Sequence, residues 1–156
     1  MSRGKRDPET PFLSQTKVAP EKTATEIQEL LGRGGARRVM TEYEAGETVG
    51  ISFSILIEGR EVLFRLPVRW RQYLKVLDEA ARRKPRRGFK PIEIDPEQAR
   101  RTAWRVTKAW LEAQLAIIQS GMVDIQEVML PYVVQGDQTL YERLAGQGFM
   151  LIEYKK

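Results

Sequence analysis

The chain contains neither cysteine nor histidine, and each absence excludes whole classes of chemistry. Without cysteine there is no disulfide framework and no thiol nucleophile. Without histidine, a zinc site would consist of carboxylates alone, and Ser-His and Cys-His catalytic pairs are excluded. The sequence therefore predicts a non-enzymatic protein with no catalytic residues, no bound metal and no cofactor.

Long apolar segments are also missing. No apolar run approaches the roughly 18 residues that a membrane span needs. The basic N-terminus, MSRGKRDPETPFLSQTKVAPEK, lacks the continuous apolar core of a signal peptide. We therefore expect no membrane association and a cytoplasmic location.

The composition is that of a folded protein. Of the 156 residues, 42% are hydrophobic and 30% are charged, a balance typical of globular rather than disordered chains. Residues 1–22 contain three prolines and few apolar groups. The sequence predicts a flexible basic N-terminal arm over residues 1–22 and a single α+β domain over residues 23–156.

The positive charge is concentrated in the first part of the chain. Residues 1–91 contain 19 basic and 12 acidic residues, a balance of +7, whereas residues 92–156 contain 7 basic and 9 acidic, a balance of −2. This asymmetry favours an anionic partner for the first part.

Three segments predict an antiparallel meander with one wet face. They are ARRVMTEY, TVGISFSILIEG and REVLFRL. In the second segment, apolar residues alternate strictly and so share one face of a strand: Val49, Ile51, Phe53, Ile55 and Ile57. The closing FMLIEY predicts a last strand that joins this sheet. We expect a three- to four-stranded antiparallel meander packed on helices.

Capping patterns and apolar periodicity predict the helices. Thr23 and Glu26 have the spacing of a capping box, and Pro67 suits the first position of a second helix. Asp95 and Pro96 predict the start of a long central helix. Its tryptophans, Trp104 and Trp110, belong to an apolar arc of roughly 200°. Two shorter helices follow, at DIQEVML and at TLYERLAGQG.

From Thr23 onward the chain resembles a family of small uncharacterised proteins encoded by phages and prophages. The segments that carry the resemblance are APEKTATEIQELL, FRLP, WRVTKAWLEAQLAIIQSGMVDIQEVMLPYV and QTLYERL. The resemblance as a whole covers about 130 residues, and the Trp-rich helix is its most specific part. The resemblance implies a phage or mobile-element source and a bacterial host cell, but no activity and no site residues.

The most distinctive segment is ARRKPRRGFKP, residues 81–91, in which six of eleven residues are cationic. Few acidic residues lie nearby, and the long helix that follows presents three more cations on its polar face. Phosphate binding by these cations and stacking of the phenylalanine on an unpaired base would form a nucleic-acid-binding surface. The alternative is a solvated linker with Phe89 tucked into the core. The predicted nucleic-acid-binding residues are Arg82, Arg83, Lys84, Arg86, Arg87, Phe89, Lys90, Arg101, Arg105 and Lys108.

Three other segments carry weaker signals. GRGGARR brings Arg33, Arg37 and Arg38 beside glycines that could cradle a phosphate, although a helix end explains the glycines better. Glu153 and Lys155 form half of a metal-nuclease pattern. The turn EYEAGE is acidic enough to hold a cation, but exposed turns are commonly acidic.

These patterns predict a non-enzymatic nucleic-acid-binding protein that acts on single-stranded or distorted DNA through a basic loop. Two alternatives remain open. One is a protein-binding inhibitor or adaptor, of an anti-defence type, that uses the same cationic surface on an acidic host protein. The other is a metal-dependent nuclease. The sequence leaves homo-oligomerisation open.

Overall fold

The computed structural model describes residues 12–91 and 94–149. The helices are α1 (Pro20–Arg33), α2 (Trp70–Arg82), α3 (Pro96–Gln119), α4 (Ile125–Met129) and α5 (Leu140–Gly146). The strands are β1 (Arg38–Glu44), β2 (Glu47–Ile57), β3 (Arg60–Pro67), β4 (Val134–Gln135) and β5 (Gln138–Thr139). The predicted α+β class is confirmed.

The chain divides into two compact units. Of the described residues, unit 1 comprises 12–26, 68–91 and 94–110, and unit 2 comprises 27–67 and 111–149. The divisions fall inside α1 and α3, so each of these helices contributes residues to both units.

Unit 2 contains the predicted meander, with strand order β1-β2-β3 and antiparallel pairing throughout. Each hairpin closes with two residues in left-handed backbone conformation. They are Ala45 (φ 49°) with Gly46 (φ 80°), and Glu58 (φ 49°) with Gly59 (φ 79°). Turns of this kind match the right-handed twist of the flanking strands, which is why a short loop suffices at both ends.

The inner face of the meander forms the core of unit 2. Phe53 and Phe64 are directly opposite each other on β2 and β3, and their rings stack with centroids 5.2 Å apart. The strict alternation in β2 therefore buries one face, as predicted. The other buried apolar residues of this unit are Ile27, Leu31, Ile51, Ile55, Leu66, Leu111, Leu115 and Met129.

The outer face of the meander is polar, yet its central serines are buried. Ser52 donates a hydrogen bond to Glu42 on β1, and Ser54 donates one of 2.7 Å to Glu61 on β3. The pKa of the Glu61 carboxyl is lowered, chiefly because it accepts the hydrogen bond from Ser54. Partial burial acts to raise this pKa, but the positive charges of Arg38 and Arg37 also lower it. The two carboxylates thus satisfy the buried serine hydroxyls, which need hydrogen-bond partners.

Unit 1 contains α2, the first part of α3 and the segment that leads into α1. Residues 13–16 lie in the predicted flexible arm, but they are bonded to α3. The Gln98 side chain donates to the Ser14 and Thr16 carbonyls at 3.0 and 2.7 Å. The Thr102 hydroxyl donates to the Leu13 carbonyl at 3.2 Å. The described end of the arm is therefore hydrogen-bonded to side chains that are more than 80 residues away in the sequence.

Two predicted helix starts are wrong. α1 begins at Pro20 rather than at Thr23, and Pro67 ends β3 instead of opening α2, which begins at Trp70. A proline suits the first turn of a helix and also the edge of a sheet. Tertiary pairing with Gly50 on β2 selects the strand for Pro67.

Other local predictions are confirmed. Asp95 caps α3 by accepting a hydrogen bond of 3.0 Å from the Glu97 amide. Thr139 and Glu142 form a complete capping box at the start of α5. The β4–β5 hairpin was not predicted, because strands of two residues show no periodicity. The predicted last strand, FMLIEY, lies outside the described residues except for Phe149. In the described part of the chain, no helix has the length and apolarity that crossing a membrane requires.

The apolar face of α3 is narrower than predicted. Trp104 and Leu111 are fully buried, but Val106, Ala113 and Ile117, which lie together at one border of the predicted arc, are exposed. The long tryptophan-containing helix is therefore present, with a smaller buried sector.

Thr23 provides a stability prediction. It lies inside α1, fully buried, and its hydroxyl has no hydrogen-bond partner within the described residues. Thr23→Val keeps the shape and removes the unsatisfied hydroxyl, so we expect the free energy of unfolding to rise by about 1 kcal/mol. Urea denaturation of both proteins measures the change. A loss of stability would show that the hydroxyl has a partner in solution.

Candidate nucleic-acid interface

The basic loop, defined here as residues 82–91, begins where α2 ends. Arg83 leaves the helix with extended backbone (φ −76°, ψ 137°), and Pro85 lies two residues later. Lys84 lies directly before Pro85, a position that disfavours helical backbone, so α2 is not expected to continue through it. A turn closed by a 3.0 Å hydrogen bond from the Phe89 amide to the Arg86 carbonyl then redirects the chain. The loop is thus an irregular connection within unit 1, as predicted.

Four cations of the basic loop are exposed, and their side chains lack a carboxylate or hydrogen-bond partner in the described part of the chain: Arg83, Lys84, Arg87 and Lys90. Arg86 is exposed as well. Arg82 differs, because its guanidinium lies 2.9 Å from Asp78 one turn earlier in α2. This pair is on the surface, where such pairs contribute little to stability. The loop therefore retains an excess of hydrated positive charge.

Phe89 lies among these cations and is half-buried. Part of its ring is accessible from solvent, while its backbone belongs to the Arg86–Phe89 turn. Phe89 is therefore neither a fully exposed ring nor a core residue, the two alternatives that the sequence left open.

The three predicted cations of α3 are held by the protein's own side chains. Arg101 donates to the Gln98 side chain at 2.9 and 3.2 Å and lies 3.9 Å from Asp95. Arg105 and Lys108 both pair with Glu26 of α1, Lys108 at 3.4 Å. Of the predicted nucleic-acid-binding residues, Arg105 and Lys108 therefore belong to a partly buried ion-pair cluster.

Glu26 is the centre of that cluster. Partial desolvation acts to raise the pKa of its carboxyl, but the hydrogen bond and charge of Arg105 and the charge of Lys108 outweigh this and lower it. The sequence suggested a capping role for Glu26. No local pattern indicated its true partners, because Arg105 is 79 residues away in the sequence.

Arg100 is a second internal anchor that sequence reasoning missed. Its side chain is 9% exposed and bonds to Glu21 of α1 at 3.1 Å, with Glu97 at 3.8 Å. Buried guanidinium groups require such partners. The Glu97–Arg100 spacing of i, i+3 was the available signal, but it does not distinguish a buried arginine from an exposed one.

The remaining sequence candidates are accounted for structurally or lie outside the described residues. The Ala36 amide donates to the Leu31 carbonyl at 2.9 Å and the Gly35 amide to Gly32, with Gly35 at φ 98°. This is a helix C-cap of the Schellman type, so these amides are not available to a phosphate. Glu153 and Lys155 are not among the described residues, within which no acidic cluster suited to a metal ion occurs.

Comparisons with protein-family models, with curated proteins and with solved structures return no match.

Proposed function

We propose that the protein binds nucleic acid, without catalysing a reaction, and that its basic loop contacts single-stranded or distorted DNA. The observation that carries the proposal is the set of four exposed loop cations without a carboxylate partner in the described residues. Phosphates are the anions that Arg and Lys bind most generally on an extended surface.

The charge pattern supports binding over a simple connecting role. A surface that serves solubility alone has charges of both signs interspersed. Within the loop every charged residue is cationic, and neighbouring like charges repel at distances shorter than the Debye length, about 8 Å at physiological salt. A polyanion bound along the loop relieves this repulsion and releases counterions.

The preference for single strands rests on Phe89. Its partly accessible ring lies between Arg87 and Lys90 in sequence. An aromatic ring among cations stacks on unpaired bases, with a contribution of about 1–3 kcal/mol per base. A regular duplex offers no unpaired base to such a ring. The phage or mobile-element source, which follows from the sequence resemblance alone, remains part of the proposal.

Salt dependence tests the proposal directly. If the four free cations each neutralise one phosphate, we expect affinity for a single strand to fall about 50-fold between 50 and 200 mM salt, and that for a duplex about 150-fold. Fluorescence anisotropy with labelled strands and duplexes of equal length measures both slopes. Absence of binding at about 50 mM salt would contradict the proposal, because electrostatic attraction is strongest there.

An acidic host protein is the competing partner for the same cations. Recovery of tagged protein from host lysate with and without nuclease treatment distinguishes the two. Co-purifying nucleic acid that disappears on nuclease treatment supports the proposal. Capture of one acidic protein that resists nuclease, together with no DNA binding by the pure chain, would favour the inhibitor or adaptor alternative.

A further inference from the structure

The outer edge of the meander is an unpaired strand. In the described part of the chain, β1 pairs with β2 alone. Glu44 and Glu47 flank a two-residue turn, so they form a hydrogen-bonded pair, and hydrogen-bonded residues alternate along an antiparallel strand. A register shift between Glu42 and Tyr43 leaves Val49 of β2 without a partner. Because the extra residue lies on β2, hydrogen-bonded and non-hydrogen-bonded residues still alternate without interruption along β1.

This alternation decides which backbone groups are available. Residues 38, 40, 42 and 44 direct their amides and carbonyls towards β2, and Val39, Thr41 and Tyr43 direct theirs towards the open edge. Such a row of unpaired groups is a template for another strand. Gln28 of α1 donates a hydrogen bond to the Thr41 hydroxyl at 2.6 Å, a contact that uses the side chain and leaves the backbone groups of Thr41 unused.

The side chains of β1 carry a self-complementary pattern on the outer face of the sheet. Arg38, Met40 and Glu42 follow one another there as cation, apolar residue and anion. The Arg38 side chain is 75% exposed and Met40 is 53% exposed. Charged residues often protect an edge strand from pairing, whatever their sign and position. On β1, however, Arg38 and Glu42 have opposite charges and lie at equal distances along the strand from Met40. This arrangement favours antiparallel pairing of two β1 strands.

We propose that two copies of this chain associate through their β1 strands, antiparallel, with Met40 on the two-fold axis. Residues whose backbone groups point to the open edge must pair with such residues of the other copy. Val39 of each copy therefore pairs with Thr41 of the other. Arg38 then lies opposite the second copy's Glu42, and Met40 lies opposite Met40. Parallel pairing in register would bring like charges together and is disfavoured.

The atoms required for these contacts are available. Arg38 uses its Nε to reach Glu61 at 3.3 Å, and Glu42 uses one carboxylate oxygen to accept from Ser52. Within the described residues, the two terminal amino groups of Arg38 and the second oxygen of Glu42 have no partner. A cation with two unused amino groups and a free carboxylate oxygen are therefore available on the outer face of each copy for a bidentate contact.

The cysteine-free chain allows the axis to be tested with a single substitution. Met40 and its counterpart form a non-hydrogen-bonded pair, with Cα atoms about 4.5 Å apart, a separation that a disulfide accommodates. We expect Met40→Cys to form a covalent dimer on mild oxidation of the full chain at about 100 µM, because a short strand interface is small and therefore weak. Leu56→Cys, 49% exposed on the same face of β2, is the matched control and should remain monomeric.

Charge reversal tests the pairing register. Arg38→Glu and Glu42→Arg each place like charges opposite one another, and we expect at least a tenfold weaker dimer in sedimentation equilibrium. The double variant restores both opposite-charge pairs and should dimerise like the original chain. An equimolar mixture of the two single variants should form the heterodimer. Circular dichroism of each variant verifies folding.

Three results would overturn the proposal. They are a monomeric unsubstituted chain at about 100 µM, equal cross-linking of the cysteine variants at positions 40 and 56, and a double variant as weakened as the single ones. Pairing of the β1 edge with the closing residues of the same chain would produce a monomer that Met40→Cys cannot cross-link. That outcome counts against the proposal as well.

Discussion

Reversing Arg83, Lys84 and Arg87 to glutamate is expected to weaken DNA binding at least about 100-fold at low salt, because three of the four proposed phosphate-binding cations become repulsive. Thermal stability should change little, since exposed substitutions usually stay within about 0.5 kcal/mol. Arg83 is the C-cap residue of α2, but it contributes its backbone amide to the cap rather than its side chain. These three side chains are exposed and have no carboxylate partner in the described residues. Anisotropy titration and thermal denaturation of the same samples measure both effects.

The matched control reverses three cations elsewhere. Lys22, Arg33 and Arg60 are likewise exposed and without a carboxylate partner among the described residues. Their reversal to glutamate changes the net charge by the same amount. If the basic loop is the site, the control keeps most of the affinity and loses only the long-range part of the attraction. Equal losses in the two triple variants would show that net charge alone drives binding.

Replacing Glu26 with glutamine is expected to lower the free energy of unfolding by about 2 kcal/mol at neutral pH. Arg105 then keeps its charge in a partly buried position without the carboxylate of Glu26, and Lys108 loses one of its ion pairs. A charge left uncompensated in such a position is costly. The side chains of Arg105 and Lys108 are 22% and 19% exposed. Glu29→Gln, on the same helix but exposed, is the control and should stay within about 0.5 kcal/mol of the original.

The Glu26 effect depends on pH in a definite direction. The pKa of Glu26 is lowered in the folded protein relative to its ordinary value of 4.5, because the ion pairs outweigh desolvation. Its contribution is therefore complete above that ordinary value and decreases as the pH falls through the folded pKa. Denaturation of the original chain and of Glu26→Gln at several pH values should give curves that converge only in acid. A difference that is constant from pH 7 to about pH 3 would contradict the ion-pair account.

Much of the fold follows from local sequence patterns. Strict alternation in β2 predicted the meander, and the spacing of Thr139 and Glu142 predicted the start of α5. These features involve residues only a few positions apart, whose hydrogen bonds and side-chain directions depend on the backbone period. The same logic fails at Thr23, because a proline three residues earlier begins the helix.

The candidate interface was predictable in part. The basic loop is conspicuous in composition, and its exposure agrees with its prolines and glycine. The cations of α3 have the same residue types and a regular spacing, yet Arg105 and Lys108 are partners of Glu26. Helical spacing indicates which residues share a face, but not which other segment of the chain faces them.

The sequence by itself determined the α+β class, the order of the strands and the location of the excess positive charge, because each depends on neighbours along the chain. Only the tertiary structure decided which cations are matched, since Glu26 and Arg105, or Glu21 and Arg100, are each 79 residues apart. Among the described strands, it also placed β1 at an open edge of the sheet with Arg38 and Glu42 on one face. Contacts between distant segments follow from chain topology and burial, which no local pattern encodes.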